Sequence, residues 1–366
     1  MRKGWEYKKL NEVCEKGTSN IVINKLADNK GKYPLFGASG LVKNIDFFHQ
    51  DKPYIGIVKD GAGVGRVNIY PAYSSLVGTM QYIFPKEGYS IDFIKYFLVK
   101  LDLSHCVSGA TIPHIYFKDY GKENIPTPSL ATQLAIVTEL DKINELIRLK
   151  KEQLKDFDNL AQSLFYEMFG DPVENEKGWD VKKLKDISRE IGDGLHGTPE
   201  YSEVDTGCYF INGNNLENGT IVIKENTKMV SEKTKAKHYI EMDDFTILVS
   251  INGTLGKVAF YNGENVILGK SACYIKLEAY NDKKYIFELL KSDYFKRYAE
   301  SECTGTTIRN VSLKSMRNFR CPLPPLPLQR LFAQRIEQIE REKSEVQKSI
   351  QDLETLLASR MQYWFE

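Results

Sequence analysis

Two stretches of the chain place apolar residues at alternating steps of four and three. The first runs Ile136, Leu140, Ile143, Ile147, Lys150, Leu154, Phe157, Ala161, Leu164, Met168, apolar at nine of ten positions. Exactly repeated spacing appears 196 residues later as Phe332, Ile336, Ile339, Lys343, Val346, Ile350, Leu353, Leu357, Arg360, Trp364, apolar at eight of ten. A 3.5-residue period keeps a seam turned toward a partner helix, whereas a face packed on a globular core drifts with the 3.6 period. The pattern therefore predicts two long helices, 131–170 and 328–366, paired as a coiled coil. The alternative is two helices lying separately on globular cores.

The remaining segments, 1–130 and 171–327, have a different texture. Short β-type runs such as "PYIGIV", "MQYIF", "FTILVS" and "ACYIKL" alternate with Gly and Asn turns, which predicts mixed domains of strands and short helices. Each domain ends in prolines, "NIPTPSLATQLAIV" and "RCPLPPLPLQRLFA". Proline lacks an N–H and disfavours helix in the residue before it, so these strings mark where the long helices begin.

The two halves are copies of one plan. With a constant shift of 196, "GATIPHIYFKDYGKENIPTPSLATQLA" faces "GTTIRNVSLKSMRNFRCPLPPLPLQRL", and Gly109/Gly305, Thr111/Thr307, Lys118/Lys314, Pro126/Pro322 and Gln133/Gln329 coincide. "GWEYKKL" (4–10) matches "GWDVKKL" (178–184), and "GVGRV" (63–67) is echoed by "TLGKV" (254–258). The shared order indicates a tandem duplication. The second domain begins where the first helix stops and ends where the second helix starts. Domain termini commonly lie close together, so the second helix is expected to run back beside the first. The expected fold is α+β: two mixed α/β domains held apart by an antiparallel coiled coil, with pseudo-two-fold symmetry. From position 136 to 168 is roughly 48 Å of helix, or about 14 base pairs of B-DNA. A strut with a similar module at each end suits a duplex contacted at two half-sites.

Charge narrows where such a ligand would lie. The net charge of the 366-residue chain is +1, residues 131–170 carry −2 and residues 328–366 carry −1, so +4 falls on the rest. Any nucleic-acid surface is therefore local and outside the helices. Four polar loops offer suitable groups. "VKDGAGVGRVN" (58–68) holds Lys59, Arg66 and Asn68 among glycines that permit close backbone approach, and "SINGTLGKVA" (250–259) holds Asn252, Thr254 and Lys257. "SGATIPHIYFK" (108–118) carries Thr111, His114 and Lys118; "TGTTIRNVSLK" (304–314) carries Thr307, Arg309, Asn310 and Lys314. Arg and Lys suit guanine edges or phosphates, and Asn suits adenine. His196 in "DGLHGTP" is flanked by glycines on an expected loop, as a structural residue or a DNA contact.

Duplicated mixed domains, each followed by a long helix, resemble the specificity subunit of type I restriction–modification enzymes. "GWEYKKL" and "GWDVKKL" are similar to that family's domain openings, and "YPLFGASGLV", "KDGAGVGRV" and "GTM" to one of its target-recognition-domain types. "DGLHGTPEY" with "FINGNNLENGTI" resembles another type, and "FGDP" resembles the junction after the first helix. The resemblance implies target recognition domains at 1–130 and 171–327, each reading half of a split, asymmetric double-stranded DNA site, with the helices setting the spacer. It implies two methyltransferase (modification) subunits as partners, which carry S-adenosylmethionine. Restriction subunits that use ATP and Mg2+ for translocation and cleavage are the further implied partners.

Catalysis by the chain itself finds little support. "GENVILGKS" (263–271) misses phosphate-loop spacing by one residue and leads into a strand-like run, where that motif opens a helix. "GAGVG" lacks a following helix, and neither NPPY nor DPPY, the target-base motifs of a methyltransferase, occurs. The six cysteines show no CxxC or Cys/His ligand spacing and the five histidines no metal pattern, so neither a disulfide framework nor a zinc site is implied. There is no apolar run of about 18 residues and no signal-peptide pattern at "MRKGWEYKKL", and a cytoplasmic location is expected. The favoured reading is a non-catalytic DNA-recognition subunit. The alternatives are a self-sufficient DNA methyltransferase and a coiled-coil adaptor without a DNA role.

Overall fold

A computed structural model describes residues 4–109, 111–304 and 309–366. The chain divides into two compact units, residues 1–153 with 346–366 and residues 154–345.

Unit 1 is built on an antiparallel sheet of β1 (Cys14–Thr18), β2 (Tyr54–Val58), β3 (Val67–Tyr70) and β4 (Met80–Pro85), in the order β1-β4-β2-β3. Unit 2 repeats the topology with β5 (Ser188–Asp193), β6 (Thr246–Ser250), β7 (Val258–Phe260) and β8 (Ala272–Leu277), in the order β5-β8-β6-β7. A helix follows each sheet, α1 (Ile91–Leu101) and α2 (Lys283–Lys291). Ser90 caps the first through its hydroxyl and Asp282 the second through its carboxylate, which satisfies N–H groups left open by the first turn.

The central strands are buried throughout, β2 and β6 at all five positions each, because both sheet faces are covered. Side chains alternate between the faces. Ile55 and Ile57 pack with Phe93, Ile94 and Phe97 of α1, while Tyr54 and Val58 pack with Leu35, Ile45 and Leu76 on the opposite side. In unit 2, Ile247 and Val249 join Ile286 and Leu290 of α2, and Leu248 joins Ile211, Leu216 and Leu268. This double burial explains why "PYIGIV" and "FTILVS" read as continuous apolar runs.

The units differ in the covering layer. In unit 1 it is a three-stranded sheet of Tyr33–Gly37, Gly40–Ile45 and Ser75–Leu76. In unit 2, a parallel pair, Tyr209–Ile211 with Val266–Leu268, and a hairpin, Leu216–Glu217 with Thr220–Ile221, take its place.

The long helices span Leu130–Phe169 and Leu326–Phe365, 40 residues each. Within unit 1 they run antiparallel: Glu139 binds Arg360, and Lys151 binds Glu354 at 2.8 Å. The same direction holds inside unit 2, where Asp158 pairs with Lys343 and Phe165 meets Phe332 with ring centroids 5.8 Å apart. The expected seam follows the burial. Ile136, Leu140, Ile143, Ile147, Leu164, Phe332, Ile336, Ile339, Val346 and Ile350 are buried, and Leu154, Phe157, Met168, Leu353, Leu357 and Trp364 are half-buried. The strict alternation is an incomplete description, however. Val137, Phe165, Phe169, Ala333, Met361 and Phe365 are buried off the seam, because the outer turns pack both on the partner helix and on the globular core.

The repeated proline strings acquire a physical role here. Buried Gln133 accepts the Ser90 N–H (2.9 Å) and donates to the Pro128 carbonyl (2.9 Å). Gln329 repeats this with the Asp282 N–H (3.0 Å) and the Pro324 carbonyl (2.8 Å). One buried amide per unit thus satisfies a carbonyl of the proline turn and ties the long helix to the helix after the sheet. No helix among the described residues is long and apolar enough to cross a membrane.

Candidate nucleic-acid interface

The loops singled out by residue type are joined in pairs, and the joint is the same in both units. In unit 1 the Gly61 N–H donates to the Pro113 carbonyl (2.9 Å), Ile115 N–H to Lys59 (3.0 Å) and Gly65 N–H to Val58 (2.8 Å). In unit 2 the Gly253 N–H donates to the Arg309 carbonyl (2.9 Å), Val311 N–H to Ile251 (2.8 Å) and Gly256 N–H to Ser250 (2.9 Å). Asp60 bridges His114 in the first platform and Asn252 bridges Asn310 in the second. The backbone is conserved between the halves while the side chains at its centre differ in chemistry.

Glycine serves this joint through its backbone. Gly61 has φ +94° and Gly253 φ +76°, and an added Cβ at either would meet nothing within 4 Å. What the positions need is the left-handed conformation, rather than the room for close approach expected from the glycine content.

In unit 1, Arg66, Thr111 and Lys118 are exposed and His114 is half-buried. Lys59 lies 3.6 Å from the Asp60 carboxylate, and the Lys118 ammonium lies 5.2 Å from the centre of the Tyr116 ring. The platform brings Lys59, Arg66 and His114 onto adjoining loops. Asn68 sits on β3, where it pairs with Gly56 of β2, so it belongs to the sheet as much as to the loop.

Unit 2 has a cleft of about 430 Å3 lined by Asp193, His196, Asn252, Lys270 and Asn310, among others. His196, Asn252 and Asn310 are therefore brought together. Asn252 Nδ2 donates to Asn310 Oδ1 at 3.3 Å, which leaves the linked amides with further donors and acceptors, the combination that pairs with an adenine edge. His196 Nε2 lies 2.8 Å from Asp193 Oδ2. Lys257 is in a different place, a second cleft of about 440 Å3 with Tyr201, Asn226 and Lys228. Thr254 and Lys314 are exposed, Arg309 lies 3.6 Å from Glu300, and Thr307 is outside the described residues.

Asp193 and Lys270 were not among the sequence candidates. Lys270 stands in "LGKS", the string set aside as a near-miss phosphate loop; its polar end lines the cleft instead. Spacing alone hid another cluster. His105, Cys106 and Glu123 bring one ligand atom each within 4.8 Å of one another, although the carboxylate comes 17 residues after the Cys. The absence of a Cys/His motif concealed it.

A family profile, the type I restriction modification DNA specificity domain, matches residues 2–156 and 176–355. The chain belongs to the specificity-subunit family of type I restriction–modification systems. Among the specificity subunits it is similar to, the type I restriction enzyme MjaVIII subunit of Methanocaldococcus jannaschii is 22% identical, across 81% of this chain and 76% of that protein. The EcoDI subunit of Escherichia coli is 21% identical, across 94% and 83%. Two solved structures share the fold. One, from a study of complex assembly and conformational transition in the type I system, has a TM-score of 0.62 at 16% identity and covers 99% of this chain and 97% of its own. The S subunit from M. genitalium has a TM-score of 0.54 at 16% identity and covers 99% and 96%. The profile matches once on each half of the chain, in keeping with the doubled sheet.

Proposed function

We propose that each unit reads one half of a split, asymmetric double-stranded DNA site, and that the long helices set the interval between the halves. The observation that carries this reading is the repeated platform with unlike residues at its centre, Asp60 and His114 in one unit and Asn252 and Asn310 in the other. A common backbone joint with different donors and acceptors suits two half-sites of different sequence. Within this reading Lys59, Arg66, Thr111, His114 and Lys118 face the first half-site. His196, Asn252, Thr254, Arg309, Asn310 and Lys314 face the second, and Lys257 approaches it from the separate cleft it shares with Tyr201 and Lys228.

The chain acts in this proposal without catalytic groups of its own. Methyl transfer belongs to two methyltransferase subunits carrying S-adenosylmethionine, and translocation and cleavage to restriction subunits using ATP and Mg2+. Exposed leucines on the long helices support docking of such partners. Leu146 and Leu149 are 48% and 46% exposed in unit 1, and Leu160 is 50% exposed in unit 2, a kind of apolar surface that marks interaction sites. A cytoplasmic location follows from work on intracellular DNA. The family match favours neither a self-sufficient methyltransferase nor an adaptor without a DNA role.

Methylome mapping of cells with and without the chain tests the proposal. A bipartite motif that is methylated only when the chain is present is expected. The same motif in both cells, or a continuous one, refutes it. Leu146→Asp with Leu149→Asp is expected to abolish co-purification with the methyltransferase while leaving the sheets intact by hydrogen exchange.

A further inference from the structure

We propose that His105, Cys106 and Glu123 of unit 1 form a binding site for a zinc-class divalent cation. The three ligand atoms, an imidazole nitrogen, a thiol sulfur and a carboxylate oxygen, lie within 4.8 Å of one another. Tetrahedral zinc bonds of about 2.0–2.3 Å bring ligand atoms to roughly 3.3–3.8 Å apart, so side-chain adjustments of about 1 Å close the site.

Hydrogen bonding orients the imidazole for this role. Asp102 has φ +48° and starts the turn Leu103–Cys106. His105 Nδ1 lies 2.9 Å from the Asp102 carbonyl oxygen. A carbonyl only accepts, so Nδ1 carries the proton, and in the neutral ring the lone pair is on Nε2. That atom faces Glu123 Oε1 at 3.2 Å. A hydrogen bond along this line holds the imidazole and the carboxylate facing each other, and a metal ion can take the place of the shared proton with both groups already oriented. A backbone carbonyl that receives the other ring N–H is the arrangement that fixes metal-ligating histidines elsewhere.

The donor set selects the metal class. Mixed sulfur, nitrogen and oxygen ligands suit Zn2+ or Co2+ and disfavour Mg2+ and Ca2+, which take oxygen. Three protein ligands leave a fourth position for water. Binding exchanges the Cys106 thiol proton for the metal and releases it to solvent. Access is open, since the His105 and Glu123 side chains are 50% and 39% exposed.

Both sides of the site are anchored. The Glu123 carbonyl accepts the Leu10 N–H at 2.9 Å, and the Glu123 N–H donates to Tyr120 at 3.2 Å. A metal here staples the 103–106 turn to the segment before strand Asn124–Pro126, at the root of the loop carrying Thr111 and His114. Unit 2 provides an internal contrast: positions 301, 302 and 319 at the same shift are Ser, Glu and Phe. The inference stands on the ligand geometry and does not depend on what the loop reads.

The test uses the metal-free 366-residue chain titrated with Co2+. One equivalent is expected to bind with a thiolate-to-cobalt charge-transfer band and tetrahedral ligand-field absorption, and Zn2+ is expected to displace it. Cys106→Ser removes the charge-transfer band, Glu123→Gln weakens binding at least about tenfold, and Cys303→Ser changes neither. Hydrogen exchange of β2 and β4 verifies that each variant is folded. No stoichiometric uptake overturns the proposal, as does uptake whose spectrum is unaffected by Cys106→Ser.

Discussion

Replacing Gly194 by alanine separates reading from folding. An added Cβ there would sit well under 3.0 Å from the Leu268 carbonyl oxygen and carbon. Backbone cannot yield as a flexible side chain can, so the Asp193–His196 loop must lift away. The bonds exposed to this shift are Leu195 N–H to Leu268 O (2.7 Å) and Lys270 N–H to Leu195 O (3.1 Å). At about 1 kcal/mol each, these bonds account for about 2 kcal/mol, and the cluster between the sheet and α2, which holds Ile247 and Val249, contains none of the displaced residues. The loop carries Asp193 and His196, and its partner carries Lys270, three residues of one cleft. Loss of a base contact costs about 1–3 kcal/mol, or about 5- to 150-fold in affinity. Competition binding against duplexes altered in one half-site at a time is the assay, with hydrogen exchange on β6 and β8 as the fold control. The expected result is weakened discrimination at the second half-site only. Gly63→Ala is the matched control: the atoms nearest its Cβ belong to the flexible Arg66 side chain, at 3.5 Å, an ordinary contact. If Gly194→Ala leaves discrimination intact while the loop exchanges faster, the cleft does not read DNA.

Three further outcomes follow from the geometry. Glu139 accepts two bonds from Arg360 and one from the Trp364 indole N–H at 3.1 Å, and the Arg360 contact holds its carboxyl below the usual range. A lowered carboxyl stabilises above the unfolded value of about 4.3 and loses that contribution as pH falls through the folded value. Glu139→Gln is therefore expected to destabilise unit 1 by about 1 kcal/mol at neutral pH, reduced from a buried pair by solvent screening, and hydrogen exchange should show the deficit vanishing in acid. Glu288 behaves oppositely: burial pushes its carboxyl up despite Lys291 at 3.7 Å. Its ionisation opposes folding as pH rises through the folded value, so Glu288→Gln should stabilise unit 2 by about 0.5–1 kcal/mol at pH 7, measured by exchange of β6 and β8. Inserting one heptad in register into each long helix adds roughly 10 Å and should lengthen the preferred DNA interval by up to about 3 base pairs; an unchanged interval refutes a spacing role.

The duplication, the long helices and their seam were legible because each rests on a periodic signal. Burial at Ile136, Ile147, Phe332 and Val346 follows a spacing that needs no tertiary information. The off-seam burial of Phe165 and Met361 was illegible, since it depends on which globular surface meets the outer turns. Gln133 and Gln329 were visible only as a coincidence of alignment; that both amides are buried bridges from the proline turn to a neighbouring helix depends on tertiary packing. For the candidate interface, residue type located the loops, and Asn252 with Asn310 emerged as a contacting pair. Asp193 and Lys270 stayed hidden because they come from separate strand ends. His105, Cys106 and Glu123 stayed hidden because a turn and a strand entrance, rather than a short motif, bring them together.

Each unit is closed at its neck by its own entering and leaving strands, Tyr7–Lys9 with Asn124–Pro126 and Asp180–Lys183 with Arg320–Leu323. The covering layers that differ between the units lie wholly inside those closures, so the chain between the two sides of a neck is a continuous cassette whose inner face packs on the long helices. Genetic exchange with crossovers at the neck codons can replace one cassette and keep the other, along with the helices and whatever docks on them. Under the proposed reading, a single recombination event of this kind would change one half-site and leave the other half-site and the interval between them as they were.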